Sequence, residues 1–272
     1  MSHALSQAQV EQFRSQGWLA PFRVMEASEA RRCFDRIESF EEQYGRQANA
    51  LLRLKSHIVL PWIAEIARKK EILDVVQDLI GPNIRLFASS IFSKAGNSRS
   101  YVSWHQDSAY FGLAPHKEVT VWVAFSESNV ANGCLRVLPG SHLGDNRVHH
   151  ETFAKDNMLG RGQTIMDIDE DKAVNLELTA GEFSVHHEKM AHSSRINTTP
   201  HRRIGFAFFY IPTDVRSVNG RQTSLLVRGV DTHGHWDEDI EPKTEMEPEA
   251  LASLEAILHG YRDGEVKQAA AS

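Results

Sequence analysis

His105-Gln106-Asp107 sets an imidazole and a carboxylate two residues apart. On an extended strand side chains alternate between faces, so these two point the same way. One more histidine completes two imidazoles and a carboxylate, a set that leaves three adjacent positions open on non-haem Fe(II). Such open positions hold a co-substrate and O2. An H-x-D pair also arises by chance as a satisfied polar pair at a strand end, so the rest of the chain must supply both a third ligand and a reason for the site.

Third-ligand candidates are His142, His149, His150, His186, His187, His192, His201, His233 and His235. Arg203 opens the strand-like run R-I-G-F-A-F-F-Y, in which Arg203, Gly205 and Ala207 share one face while Ile204, Phe206 and Phe208 share the other. One arginine beside small residues suits a cavity that admits a ligand. Its guanidinium can grip a carboxylate through two parallel hydrogen bonds. Arg202 falls on the packing face, where a surface position is the simpler reading. The run Thr232–Asp239 (THGHWDED), with Asp231 before it, has the composition of a competing metal site. The acidic Asp167–Asp171 reads as a solvated loop.

These residues need a scaffold. Residues 5–17 have helical spacing of Val10 and Phe13, with Ser6 as N-cap and Gly17 as stop. Residues 28–43 form a second amphipathic helix with Ser28 as its expected cap, and a third helical pattern runs from Pro61 to Ile80 and stops at Gly81-Pro82. The period then changes. Ile84–Lys94, Tyr101–Asp107, Val119–Phe125, Cys134–Leu138, Asn175–Leu178, Glu182–His186 and Arg203–Ile211 are short β-type segments separated by turn residues. A last helix starts at Pro248, with Leu251, Leu254 and Leu258 on one face. The stretch from His142 to Val174 is polar and irregular, as a binding loop would be. Helices first and many short strands after them predict an α+β protein built on an all-β core.

At 272 residues, with 41% hydrophobic and 24% charged, the chain can bury a substantial core without cross-links. A formal net charge of −6 argues against nucleic-acid or anionic-membrane partners. Two cysteines are too few for a disulfide framework or a thiolate cage. No apolar run is long enough to span a membrane and no secretory leader is evident, so the expected location is cytoplasmic.

H-Q-D, then N-G-C-L-R-V-L-P-G-S-H (Asn132–His142), then G-E-F-S followed by H-x-S and the downstream arginine, resemble the phytanoyl-CoA dioxygenase family over roughly residues 5–235. The resemblance implies a double-stranded β-helix (a cupin-like jelly roll) flanked by N-terminal and C-terminal helices. It implies one domain over 1–272, with a helical part at 1–80, the jelly roll at about 84–235 and the last helix at about 248–260. The implied cofactors are Fe(II), 2-oxoglutarate and O2. The family spacing selects His192 as third ligand over His186, because Arg203 lies eleven residues after His192. By the same motifs His105, Asp107 and His192 hold iron, and Arg203 and Ser194 bind the distal carboxylate of 2-oxoglutarate. Gln106, Lys94, Trp122 and Thr120 are then expected around the co-substrate. Tyr110, His186, Asn157 and Arg161 are candidates to face the substrate. Halogenating relatives carry a small residue in place of the carboxylate, so Asp107 implies hydroxylation. The expected reaction hydroxylates an unactivated C–H bond of a small polar or anionic metabolite, with an aminoalkylphosphonate, amino acid or natural-product intermediate as candidates, and releases succinate and CO2. A zinc-type metallohydrolase and a non-catalytic jelly-roll sensor are the rival readings, and the hydrolase gives no reason for Arg203 and Ser194.

Overall fold

The computed structural model describes residues 3–160 and 162–271 of the chain. Arg161 therefore lies outside the described residues. Helix α1 (Gln7–Gln16) is closed at its start by a reciprocal Ser6–Gln9 capping box and at its end by Gly17 in the left-handed conformation. Helix α2 (Ala27–Tyr44) buries Ala30, Cys33, Phe34, Ile37 and Phe40. Its cap is Glu26, with no side-chain capping bond, so Ser28 lies inside the helix and is not its cap. A single turn, α3 (Ala48–Leu51), follows.

The helix expected over Pro61–Ile80 is two helices, α4 (Pro61–Ala67) and α5 (Lys70–Ile80), separated by an extended Lys69. The reason lies in the apolar stripes. Trp62, Ile63, Ile66 and Ala67 are buried in the first, and Ile72, Leu73 and Val76 in the second. At about 100° per residue these sets would face different directions on one continuous helix. The break at Lys69 lets both stripes meet the same core.

Strands β1 (Trp18–Arg23), β8 (Glu182–His187), β5 (Val119–Ala124), β10 (Arg203–Pro212), β2 (Ile84–Lys94), β12 (Thr223–Arg228) and β13 (Asp237–Glu238) form the larger sheet in that order. The smaller sheet is β3 (Val102–His105), β9 (His192–Ser194), β6 (Leu135–Val137) and β7 (Val174–Leu176). A short pair, β4 (Leu113–Ala114) and β11 (Arg216–Ser217), lies apart. This is the expected double-stranded β-helix with its flanking helices. Pairing is antiparallel except between β12 and β13. Strand β1 carries Pro21, which an edge strand tolerates because that backbone position needs no ladder donor.

Strand β10 shows how the sheet divides the molecule. Ile204, Phe206, Phe208 and Tyr210 join the apolar cluster shared with α2, α4 and α5, while Ala207 and Phe209 belong to a separate cluster with Trp122 and Phe87. Helix α7 (Pro248–Ala271) buries Ala250 and Leu254 in the first cluster and runs beyond the expected end. The described residues between His142 and Ala173 are irregular apart from short turns and two isolated bridges, His150 to Thr164 and Asn157 to Tyr101. Among the described residues no helix is long and apolar enough to cross a membrane.

Candidate metal centre

Strands β3 and β9 pair so that His105 lies directly opposite His192, with ring centroids 4.1 Å apart. The strand ends at His105. Asp107 has α-type dihedrals (φ −61°, ψ −33°) at the head of a single helical turn, α6 (Ser108–Phe111). The expected extended run to Asp107 is thus corrected: a turn, not strand alternation, brings the carboxylate beside the imidazoles. Asp107 Oδ1 lies 3.4 Å from His105 Nε2 and 3.9 Å from His192 Nε2. All three ligand atoms fall within 4.8 Å of one another, and no other such group occurs among the described residues.

The Nδ1 atoms face backbone carbonyls, Ser103 O at 2.8 Å for His105 and Met190 O at 2.9 Å for His192. A carbonyl only accepts, so each Nδ1 carries the proton and each Nε2 offers its lone pair toward Asp107. Burial holds His192 well below the usual histidine range, helped by His105, which keeps it neutral as a ligand must be. Burial alone would raise Asp107, but the neighbouring His192 and His105 outweigh it and hold the carboxyl at about 2.

The pocket over this triad is lined by Thr120, Trp122, His186, Ser194, Arg203 and Phe92, among others. Arg203, which lines it, and Lys94 are cross-strand partners on β10 and β2, each almost fully buried. Lys94 Nζ donates to Ser194 Oγ at 2.6 Å and to the Arg195 carbonyl. Arg203 donates through Nη2 to Gly133 O at 2.9 Å, and its Nε has no partner. Its guanidinium sits 5.2 Å from the Trp122 ring centre. The ring fits because residue 205 is glycine: a Cβ there would lie 2.0 Å from Trp122 Cζ2. No carboxylate pairs with either cation among the described residues. Burial first, then Arg203, lowers Lys94 to about 6. A buried guanidinium with an unpartnered Nε, beside an amine that an arriving anion would recharge, fits a carboxylate.

His186 projects into the same pocket, 4.7 Å from the His192 ring, with neither ring nitrogen partnered. Burial depresses it to about 4. Tyr110 stands edge-on to His105 at 6.0 Å. Two expectations are corrected. Gln106 points away from the pocket, donating to Lys189 O at 2.6 Å and accepting from Arg147 N at 2.7 Å. Being between His105 and Asp107, it takes the opposite side of the chain and ties the 142–174 loop to the turn before His192. Asn157 likewise donates to Ser103 Oγ at 2.8 Å and anchors that loop rather than lining the pocket.

The THGHWDED run assembles no metal site. Asp231 is held by Arg85 at 2.8 Å and by the His233 backbone N–H, and Asp239 turns inward to Lys55 and His57. Sequence reasoning missed Glu118 and Glu188, both fully buried behind Thr120. The signal for Glu118 was its place two residues before Thr120, on the same face of the strand.

A family model described as phytanoyl-CoA dioxygenase matches residues 3–205. A Stutzerimonas stutzeri protein named "Probable alpha-ketoglutarate-dependent hypophosphite dioxygenase" is 28% identical over 201 residues, covering 71% of this chain and 70% of that protein. Human peroxisomal phytanoyl-CoA dioxygenase is 30% identical over 159 residues, 57% of this chain; the match spans about half (47%) of the human protein. Among solved structures, the apo form of ThoJ, described as a non-heme monooxygenase, superposes with a TM-score of 0.82 at 32% identity, covering 93% of this chain and 96% of that one.

Proposed function

The chain belongs to the phytanoyl-CoA dioxygenase family, and on that premise we propose that His105, Asp107 and His192 hold its iron while Arg203, Lys94 and Ser194 hold the distal carboxylate of 2-oxoglutarate. It is a non-haem Fe(II)- and 2-oxoglutarate-dependent oxygenase, with O2 as the other co-substrate. The observation that carries the site assignment is that a convergent His–Asp–His triad and the buried Arg203, which faces no carboxylate and has Lys94 as its cross-strand neighbour, line one pocket.

When bound, iron and 2-oxoglutarate supply oxidative decarboxylation to succinate and CO2, coupled to oxidation of the substrate. The chain's own part is placement. His105 and His192 present fixed Nε2 lone pairs, and Asp107 presents Oδ1. Arg203 and Lys94 orient the co-substrate along the pocket by charge-assisted hydrogen bonds, with Trp122 as its wall. Phe92, Leu135, Ala207 and Phe209 exclude water around it. The apolar cluster running from Leu5 to Leu254 supports reading 1–272 as one domain.

The substrate in this proposal is a small polar or anionic metabolite, hydroxylated at an unactivated C–H bond. The net charge of −6 disfavours bulky polyanions such as CoA, and the Stutzerimonas relative is named for hypophosphite. An aminoalkylphosphonate remains a candidate. His186 and Tyr110 are the residues proposed to meet it.

The test is succinate release from 2-oxoglutarate with Fe(II), ascorbate and a panel of small anions, together with the 2-oxoglutarate KM of variants. His192→Ala should abolish turnover. Arg203→Ala should raise the KM about 100-fold, the loss of roughly two charge-assisted hydrogen bonds. An unchanged KM in Arg203→Ala rejects the co-substrate assignment, and full turnover in His192→Ala rejects the ligand assignment.

A further inference from the structure

Behind Asp107 lies a buried line of polar groups that neither the metal nor the co-substrate accounts for. Thr120 Oγ1 is 3.3 Å from Asp107 Oδ2 and 3.0 Å from Glu118 Oε1. Asp107 Oδ1, the other oxygen, is the one that faces both imidazole Nε2 atoms. Glu118 is fully buried, and so is its neighbour Glu188. The Glu118 backbone N–H donates to Glu188 Oε1 at 3.1 Å, and the Glu188 carbonyl accepts from Ser108 N at 3.1 Å, the first residue of the turn that carries Asp107.

Resting on the reading of His105, Asp107 and His192 as iron ligands, we propose that Thr120 and Glu118 are positioning residues that hold Asp107 as a one-oxygen ligand. A hydroxyl has one proton to give. If Thr120 gives it to Asp107 Oδ2, its own oxygen must accept from Glu118, which then carries the carboxyl proton. The surroundings favour that arrangement. Glu118 Oε2 has no hydrogen-bond partner, and His116 stands 3.2 Å from Glu188 Oε2 without an ion pair to Glu118. An ionised carboxylate buried with one oxygen bare, beside a second carboxylate, is far costlier than a neutral acid there. Burial, Glu188 and Asp107 all push the Glu118 carboxyl well above its ordinary range. The line thus reads Glu118 O–H to Thr120 O–H to Asp107 Oδ2, leaving Oδ1 alone at the metal position.

Co(II) is the probe, because its visible absorption weakens as coordination number rises. Its dissociation constant and spectrum are measured anaerobically for the whole protein and for Thr120→Val, Thr120→Ser, Glu118→Gln, Glu118→Ala and Asp107→Ala. Thr120→Val should free Oδ2 to reach the metal, weaken the visible bands and loosen binding about tenfold, the lower range for a lost supporting partner. Thr120→Ser should restore the wild-type spectrum. Glu118→Gln keeps an N–H donor and should stay near wild type, whereas Glu118→Ala should move toward Thr120→Val. A wild-type spectrum and affinity in Thr120→Val, with binding lost in Asp107→Ala, overturns the relay and leaves the metal site standing. Wild-type Co(II) binding in Asp107→Ala overturns the ligand assignment instead. Should Thr120→Val not fold, the Glu118 pair decides: identical spectra for Gln and Ala reject the donor role.

Discussion

Lys55, His57 and Asp239 form one buried charged cluster, and His105, Asp107, His192 and His186 form another. Residue types and burial are alike, but satisfaction is not. Lys55 Nζ donates to both Asp239 oxygens at 3.0 and 2.9 Å and to Thr223 O at 2.8 Å, while His57 meets Ser89 Oγ and Asp239 Oδ2, each at 2.9 Å. That cluster is closed. Around the triad, His186 lacks partners on both nitrogens and Arg203 on Nε. Each such buried orphan costs roughly 1–3 kcal/mol unless something outside the chain meets it. Composition does not separate a structural cluster from a ligand site, but the hydrogen-bond inventory does.

The largest effect should come from opening the closed cluster. Asp239→Asn keeps the shape but removes the charge that faces Lys55 and His57, and should lower stability by about 3 kcal/mol, read by urea unfolding. Co(II) affinity should be unchanged; a parallel loss of metal binding would break the division between the two clusters. Burial alone would raise the Asp239 carboxyl, but Lys55 and then His57 outweigh it and hold it well below the carboxylate range. A depressed folded value means stability that is present above the unfolded value of about 3.9 and is lost as pH falls through the folded one. The gap between wild type and Asp239→Asn should therefore be full near neutrality and shrink progressively below about pH 4.

At Lys94, beside Arg203, the expected effect is smaller and depends on pH in the opposite sense. Lys94, at about 6 before any anion arrives, is mostly neutral at pH 8. A bound carboxylate draws the proton back, so binding takes up a proton. The affinity for 2-oxoglutarate should weaken by up to about tenfold per pH unit above 6, until the pKa of the bound state is reached. Calorimetry in buffers of different ionisation enthalpy measures the uptake directly. Lys94→Met should flatten the profile, and a flat wild-type profile would mean that Lys94 does not meet the co-substrate.

How much of this was legible in the sequence depended on chain separation and on local geometry. Alternation along Arg203–Ala207 was readable because β10 is long and regular, and H-Q-D announced two ligands. Strand β9, which delivers His192, is only His192–Ser194 and has no apolar pattern to read. Alternation alone would also have turned Gln106 away from the pair, as is seen, but the convergence of His105 and Asp107 comes from the turn at Asp107, which an H-x-D spacing does not reveal. The Lys55–His57–Asp239 cluster joins residues more than 180 positions apart and leaves no local signature. The division of Pro61–Ile80 was encoded in the two apolar stripes, whose directions disagree once plotted at helical spacing.

His186 and His57 allow the sharpest small test, because both are fully buried histidines and the same substitution should act with opposite sign. At His57 leucine removes the partner of Ser89 and Asp239, so His57→Leu should destabilise. At His186 leucine removes two unpartnered ring nitrogens from an apolar wall beside Trp122 and Phe209, so His186→Leu should stabilise the ligand-free protein by about 1 kcal/mol, the low end of an orphan's cost. Thermal unfolding without metal or co-substrate reads both. Iron affinity should be unchanged in His186→Leu, since its ring touches His192 but holds none of the three ligand atoms. The loss should appear in the substrate KM, where the imidazole would have found its partner. If His186→Leu destabilises as His57→Leu does, the ring is ordinary core and the pocket ends at Thr120 and Trp122.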